Sequence, residues 1–353
     1  MNRPITINGR FLTRPATGVD RFAHELLRSW IPRYGSEAGA KIVVPSGVDY
    51  RGTEDLLPAR PVGRLGGQSW EQLELSGYCG GDLLLNLCNT GPMFRSEQLC
   101  VLHDLGALVH ASSYSYAFRT WYRCLFTALM KKARIIATVS KFSASELARY
   151  FGGGRSVEVI YESGEHVLRT PADTGVLQRL GLEEHKYVLV VGSRAPHKNF
   201  AGIIRAASLL SGQRIKVVAA GGSNSRVFAG VTLPTDNLVL AGYVSDGELR
   251  ALYESAECFV FPSLYEGFGL PPLEAMHCGC PTIVSNRTAL PEVCGDGALY
   301  CDPDDPADIA RQLQRVLSSS SLRLELRERG LARAKSFSWK SAAEQLQAMV
   351  TCR

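Results

Sequence analysis

The stretch CFVFPSLYEGFGLPPLE, Cys258 to Glu274, decides how this chain is read. Cys258-Phe259-Val260-Phe261 is a short apolar run closed by Pro262, the pattern of a buried strand. Ser263 to Leu270 follows as a turn carrying Gly267 and Gly269. Pro271 and Pro272 then open a segment, Leu273-Glu274-Ala275-Met276, that continues like a helix. Proline is tolerated in a helix's first turn, where its missing N–H would be unpaired anyway. The order strand, glycine loop, helix start leaves free N–H groups behind the loop, an arrangement that suits an anion such as a diphosphate. Glu266 sits in the loop and Glu274 one to two turns into the helix. The plainer alternative is a βα turn whose glycines only satisfy geometry, with both glutamates on solvent.

Outward from this stretch, the second half repeats the same alternation. Strands are expected at Tyr187–Val191, Ile215–Ala220, Leu238–Ala241 and Thr282–Val284. Helices are expected at Phe200–Leu210, Gly247–Ser255 and about 306–318, 321–335 and 340–350. The first half reads alike, with strands at Ile5–Ile7, Lys41–Val44, Asp82–Cys88, Leu99–Leu102, Ile135–Val139 and Val157–Ile160. Helical periodicity begins at Gly18 and covers Tyr116–Lys132 and Ala144–Tyr150. Residues 46–80 read as loops with one short helix around Trp70 to Leu75. Near-continuous apolar strands are the mark of parallel sheets, so each half is a Rossmann-like α/β unit, with a polar break near 162–185. Ligands of such sheets bind at the C-terminal strand ends, so the expected site is a cleft between the halves.

At 353 residues the chain is long enough for two such domains. A net charge of +5 without a long basic run gives no reason to expect nucleic acid. The ten cysteines stand mostly in apolar strand contexts, as buried thiols do, and no signal peptide precedes Ile5, so a reducing cytoplasm is expected. No apolar run approaches the roughly 18 residues of a membrane span. His277 beside Cys278-Gly279-Cys280 has no second pair at zinc-site spacing and reads as structural.

Other segments carry candidate chemistry. Gly192-Ser193-Arg194-Ala195-Pro196-His197-Lys198-Asn199 leaves a strand's C-terminal edge with two fixed cations and a histidine, suited to a phosphate-bearing ligand or simply solvated. Gly221-Gly222-Ser223 forms a weaker glycine turn at the same edge. His103-Asp104 ends a buried strand, where the histidine either meets a sugar hydroxyl, shuttles a proton or is structural. Asp302-Pro303-Asp304 is a literal D-x-D, yet Asp305-Pro306 reads as a helix cap and N1 pair, so no metal is inferred. From Leu105 to Ser145 there is no acidic residue, while Arg119, Arg123, Lys131, Lys132, Arg134 and Lys141 alternate with Trp121, Tyr122 and Phe126. That segment either packs its aromatics inward or rests on an anionic bilayer. A dinucleotide G-x-G-x-x-G is absent after the first strand, which argues against a dehydrogenase.

Residues 242–305 resemble the C-terminal half of the GT4 family of retaining glycosyltransferases, and FVFPSLYEGFGLPPLEAM contains that family's E-x7-E motif at Glu266 and Glu274. VGSRAPHKN and ATVSKFSASEL resemble further family segments, while TGVDRFAHELL and VLHDL fit a subgroup similar to bacterial O-antigen mannosyltransferases. The resemblance implies a GT-B fold, two Rossmann-like domains facing across a cleft. Residues 1–165, with a crossover helix at about 337–353, would bind acceptor, and residues 166–336 the nucleotide-sugar donor. By position, Arg194 or His197 with Lys198 would hold the donor diphosphate. Glu274 would accept from the ribose hydroxyls and Glu266 from the sugar hydroxyls. The backbone of Gly267, Phe268, Gly269 and Leu270 would contact sugar and phosphates. His103 would lie under the donor sugar, with Gly18 and Asp104 on the acceptor side.

The implied activity is metal-independent, cofactor-free, retaining transfer of a hexose in surface polysaccharide biosynthesis. The donor is read as GDP-mannose, with UDP-glucose and dTDP-rhamnose as alternatives. The acceptor is a glycan or a polyprenyl-linked glycan, and the expected location is the cytoplasm, with peripheral contact at the inner membrane surface. A GT-B nucleotide-sugar epimerase and a catalytically silent nucleotide-sugar-binding subunit are the competing readings.

Overall fold

The computed structural model describes residues 3–50, 55–109, 115–183, 186–192, 195–210, 215–222 and 237–351. The chain divides into two compact units, residues 1–162 with 339–353, and residues 163–338.

The first unit holds β1 (Ile5–Asn8), β2 (Lys41–Pro45), β3 (Ala59–Val62), β4 (Leu83–Asn86), β5 (Gln98–Val101), β6 (Ile135–Thr138) and β7 (Glu158–Val159). They form one parallel sheet in the order β3-β2-β1-β4-β5-β6-β7. The central strands β1 and β4 are buried along their whole length, as strands covered on both faces must be. Helix Gly18–Trp30 covers the sheet with Phe22, Ala23, Leu26, Leu27 and Trp30, all fully buried. Each large side chain of this kind contributes about 1.5–3 kcal/mol of burial. The C-terminal helix Trp339–Thr351 belongs to this unit, where Trp30 Nε1 donates to Gln347 Oε1 at 3.0 Å and the Trp339 ring meets Phe22 edge-on.

The second unit holds β8 (Tyr187–Val191), β9 (Lys216–Ala220), β10 (Leu238–Gly242), β11 (Cys258–Phe261), β12 (Thr282–Ser285) and β13 (Leu299–Cys301). This sheet is also parallel, in the order β10-β9-β8-β11-β12-β13. Its core joins Val188, Val217 and Val260 from the strands to Ile203, Ile309 and Leu313 from the helices.

Two strands depart from the sequence expectation. Residues 46–80 contain β3 and two helices, Gly67–Leu73 and Leu75–Cys79, rather than loops with one helix. Ala59-Arg60-Pro61-Val62 carries no apolar run because it is an edge strand whose Arg60 and Pro61 face solvent, and an edge tolerates proline. The three-residue β13 closes one edge of the second sheet and is too short to show a period.

Gly164, just inside the second unit, lies against the backbone of the helix that carries Glu274. A Cβ there would stand 2.5 Å from Glu274 N and 2.6 Å from the Leu273 carbonyl carbon. Backbone cannot step aside as a flexible side chain does, so Gly164→Ala is expected to cost about 1–3 kcal/mol. A lowered midpoint in urea unfolding of the full chain, with an unchanged slope, is the check.

Candidate functional site

The order of the second sheet reverses between β8 and β11, and loops leaving these neighbouring strands diverge to leave a crevice. The crevice is present as a small recess lined by Gly192, Lys198, Gly221, Phe261 and Pro262, among others. Gly192 and Gly221 have φ of +143° and +103°, and a Cβ on Gly221 would lie 2.8 Å from the Gly192 carbonyl oxygen. Both positions therefore require glycine, and the backbone approaches closely enough to leave the recess open.

Lys198 reaches this recess from a short 3-10 turn, Pro196–Lys198. Its ammonium donates to both oxygens of Glu266, at 2.7 and 2.9 Å, and lies 5.3 Å from the Phe261 ring centre. The turn carrying Lys198 and the E-x7-E loop thus meet in one ion pair, with side chains 23% and 11% exposed. The loops are also tied by their backbones, where the Leu264 N–H donates to the His197 carbonyl at 2.7 Å. Asn199 follows in the left-handed region, and its amide donates to the carbonyls of Pro262 and Pro303. Ser193 and Arg194 lie outside the described residues, as do residues 223–236 with Ser223.

Glu266 is positioned by a residue that no motif signalled. Its backbone N–H donates to Thr288 Oγ1 at 3.1 Å, and that hydroxyl donates to the Arg287 carbonyl at 2.8 Å. Thr288 has φ of +58°, a region that a β-branched side chain rarely enters. Arg287 pairs with Asp302 at 3.0 Å and Asp304 at 2.7 Å, so both ends of the D-x-D hold this turn. Asp305 caps the next helix by accepting from Ala307 N, with Pro306 behind it.

Gly269 is the N-cap of helix Leu270–His277, with φ of +117°, and Pro271 and Pro272 occupy its first turn. Phe268 packs edge-on against Phe337, and Leu270 is buried. Gly267 belongs to the same turn. Glu274 is buried one turn further, where His166 Nε2 stands 2.9 Å from Oε1 and the Tyr253 hydroxyl donates to Oε2 at 3.1 Å. His166 Nδ1 faces the Ser163 carbonyl at 3.2 Å, so Glu274 is tied to the start of the unit. His277 closes the group. Burial first, and then the neighbouring His166, lower its pKa to about 4, against a smaller upward pull from Glu274. Its Nε2 is buried without a hydrogen bond among the described residues. Cys278 and Cys280 are buried free thiols whose pKa values burial raises, to about 12 for Cys278.

In the first unit, His103 is buried and its ring is held on three sides. Nε2 donates to the Leu87 carbonyl at 2.9 Å, Nδ1 lies 3.3 Å from Glu162 Oε1, and Phe22 meets the ring edge-on at 4.7 Å. Its backbone N–H donates to Asn89 Oδ1 at 2.6 Å. Asp104 accepts from the Gly106 N–H at 2.7 Å, at the start of the short helix Gly106–Val109. Gly18 opens its helix with no atom within 4 Å of an added Cβ. Sequence reading passed over Glu162, Asn89, Thr288, His166 and Tyr253. Asn89 and Thr288 share a conformational signal. The three non-glycine residues with positive φ among the described residues are Asn89, Asn199 and Thr288, and they adjoin His103, Lys198 and Glu266 respectively. Strain concentrates where surrounding structure over-determines a functional geometry.

Two outcomes follow. In Thr288→Gly, relief of left-handed strain favours the fold by about 1–2 kcal/mol. The extra freedom of glycine and the lost hydrogen bond oppose it by similar amounts. Stability should therefore change by less than about 1 kcal/mol, while the Glu266 amide loses protection in hydrogen exchange and Thr288→Ser keeps it. For His277, the unfolded chain binds a proton below the ordinary value of 6.5 and the folded chain only near 4. Stability is then full above pH 6.5 and is lost as pH falls through this window, by on the order of 1–2 kcal/mol for a group in partial contact with water. Denaturant midpoints for His277→Asn should show a flatter slope between these two pH values.

The family model for group 1 glycosyl transferases matches residues 177–333. The chain is 38% identical over 228 residues to O-antigen chain mannosyltransferase B of Escherichia coli, covering 61% of this chain and 60% of that protein, so it spans less than two thirds of this relative's length. It is 32% identical over 289 residues to the MMP alpha-(1->4)-mannosyltransferase of Mycolicibacterium hassiacum, covering 77% of this chain and 68% of the relative. Anabaena Alr3699/HepE, solved in complex with UDP and glucose, superposes with a TM-score of 0.76 at 15% identity, over 99% of this chain and all of that one. The last likeness speaks to fold alone: two parallel-sheet Rossmann-like units, the GT-B class. With these matches the chain belongs to the group 1 glycosyl transferases, the GT4 family.

Proposed function

We propose that the chain is a retaining hexosyltransferase that moves mannose from GDP-mannose to a glycan or lipid-linked glycan acceptor in surface polysaccharide biosynthesis. The observation that carries the reading is the Lys198–Glu266 ion pair at the β8/β11 crevice. Without donor, the ammonium rests on the carboxylate. A diphosphate entering the recess offers Lys198 two further anionic oxygens, and the carboxylate it shares becomes available to the sugar's hydroxyls. Glu274 keeps lone pairs beyond those used by His166 and Tyr253, and these serve the ribose. As the glycosidic bond breaks, negative charge grows on the leaving diphosphate. Lys198 and the amides of Gly267 to Leu270 favour that charged state over the ground state. Among the described residues no first-unit carboxylate is an evident nucleophile, so attack on the face the diphosphate leaves, with its oxygen taking the acceptor proton, is the mechanism we favour.

The names of the mannosyltransferase relatives support mannose, and the Anabaena structure's UDP and glucose support a nucleotide-sugar in this fold. Engagement of Asp302 and Asp304 by Arg287, and of Asp305 by a helix start, supports a metal-independent reaction without a cofactor. No helix of the described residues is long and apolar enough to cross a membrane. Peripheral contact is supported by helix Tyr116–Lys132, whose Leu125, Phe126, Leu129 and Met130 pack inward while Tyr116 is 82% exposed. Phe94, 81% exposed, lies under the Lys132 ammonium. Such a basic, aromatic face suits the anionic leaflet of the inner membrane, reached from the cytoplasm.

The test is a thermal-shift panel of GDP, UDP and dTDP, followed by turnover of GDP-mannose, UDP-glucose and dTDP-rhamnose. A ligand of the native state raises apparent stability. GDP should give the largest shift and GDP-mannose the fastest slow hydrolysis, and Glu266→Ala should lower that rate by roughly a hundredfold or more. Near-normal turnover by Glu266→Ala would sink the role given to that carboxylate.

A further inference from the structure

The first sheet has its own point of reversal, between β1 and β4, and a second recess lies there, lined in part by Leu87, whose carbonyl meets the His103 ring. It corresponds in topology to the Lys198 recess of the second sheet, and open α/β sheets take ligands at such positions. Its floor is Glu71, fully buried on helix Gly67–Leu73. Glu71 Oε1 accepts from Asn8 Nδ2 at 2.6 Å and from Thr90 Oγ1 at 2.9 Å. Oε2 accepts no hydrogen bond among the described residues, and Arg10 Nε stands 3.4 Å away. Arg10 also donates to Thr90 Oγ1 at 2.6 Å. At the rim, Arg14 donates through Nε and Nη2 to Asp20, itself buried.

Oε1 ties Asn8 to Thr90, whereas Oε2, a buried carboxylate oxygen with unused lone pairs, is costly to hold. The charges around it alternate in sign. An anion entering the recess would meet Glu71, and a cation would meet Arg10 and Arg14. A neutral hydroxyl escapes both penalties, because it can donate to Glu71 Oε2 and accept from Arg10. We propose that this recess is a hydroxyl-recognition subsite for a saccharide, with Glu71 and Arg10 reading one sugar hydroxyl. That the saccharide is the acceptor rests on the transferase reading; that a sugar hydroxyl binds here does not.

The test titrates the full-length protein, without donor, with methyl α-D-mannopyranoside, methyl α-D-glucopyranoside and methyl α-D-galactopyranoside, followed by saturation-transfer NMR. The wild type should bind at least one of them. Glu71→Gln and Arg10→Lys should each weaken that binding by roughly tenfold or more while the GDP thermal shift stays. If Glu71→Gln does not fold, Arg10→Lys and Thr90→Val carry the measurement. A wild type that binds none of the three glycosides, variants that bind as well as wild type, or a crystal soaked with the best glycoside showing only a water on Oε2, each overturn the proposal. Saccharide binding lost in the variants alongside a failed donor panel sinks the transfer reading and supports this one.

Discussion

Every strand of both sheets is parallel, and most of what matters in this chain depends on that constraint. Parallel strands need a crossover after each one, so the loops that follow the strands all leave from the same edge. Residues distant in sequence are brought together there without designed contacts between their segments. Lys198 follows β8 and Glu266 follows β11, 68 positions apart, yet they share one ion pair because these strands are neighbours in the sheet. Asn8 ends β1 and Thr90 lies beyond β4, and they meet on Glu71 for the same reason.

The edge alone gives proximity, not aim. Aim comes from a ring of supporting groups, several in backbone conformations that side chains avoid. Thr288 holds the Glu266 amide, Asn199 holds the carbonyls beside Lys198, and Asn89 holds the His103 amide. Arg287, clamped by Asp302 and Asp304, keeps the Thr288 turn in place. Glu274 is secured differently, by His166 and Tyr253 inside the protein, where the loss of a partner would leave a buried carboxylate exposed to its full desolvation cost. The two glutamates of one motif therefore stand in different environments, one in a half-buried ion pair with Lys198 and one in a buried network.

Much of the fold was legible because its strands are apolar runs and its helices carry regular periods. Cys258–Phe261, Tyr187–Val191 and helix Phe200–Leu209 fall where periodicity puts them, within a residue. What escaped has a physical reason in each case. Ala59–Val62 is an edge strand with little to bury, and Leu299–Cys301 is too short to have a period. Thr288 and Asn89 carry no local pattern, because their importance lies in a φ value and a partner elsewhere in the chain. Glu71 stood in the one short helix expected around Trp70 to Leu75, but nothing local marked it, because its partners Asn8 and Thr90 lie 63 and 19 positions away.

Thus the sequence by itself determined the parallel α/β class, the two units, the strand–glycine–helix turn at Cys258–Glu274 and the residue types that stand in that turn and in the one after β8. Those follow from local period and from backbone chemistry, which each segment carries alone. Only the tertiary structure decided that Lys198 rests on Glu266, that the D-x-D carboxylates hold Arg287, that Glu274 is locked by His166 and Tyr253, and that Glu71 lies beneath a second recess. Each is a pairing between distant segments, and which distant segments pair is fixed by strand order, a property of the whole sheet that no single segment encodes.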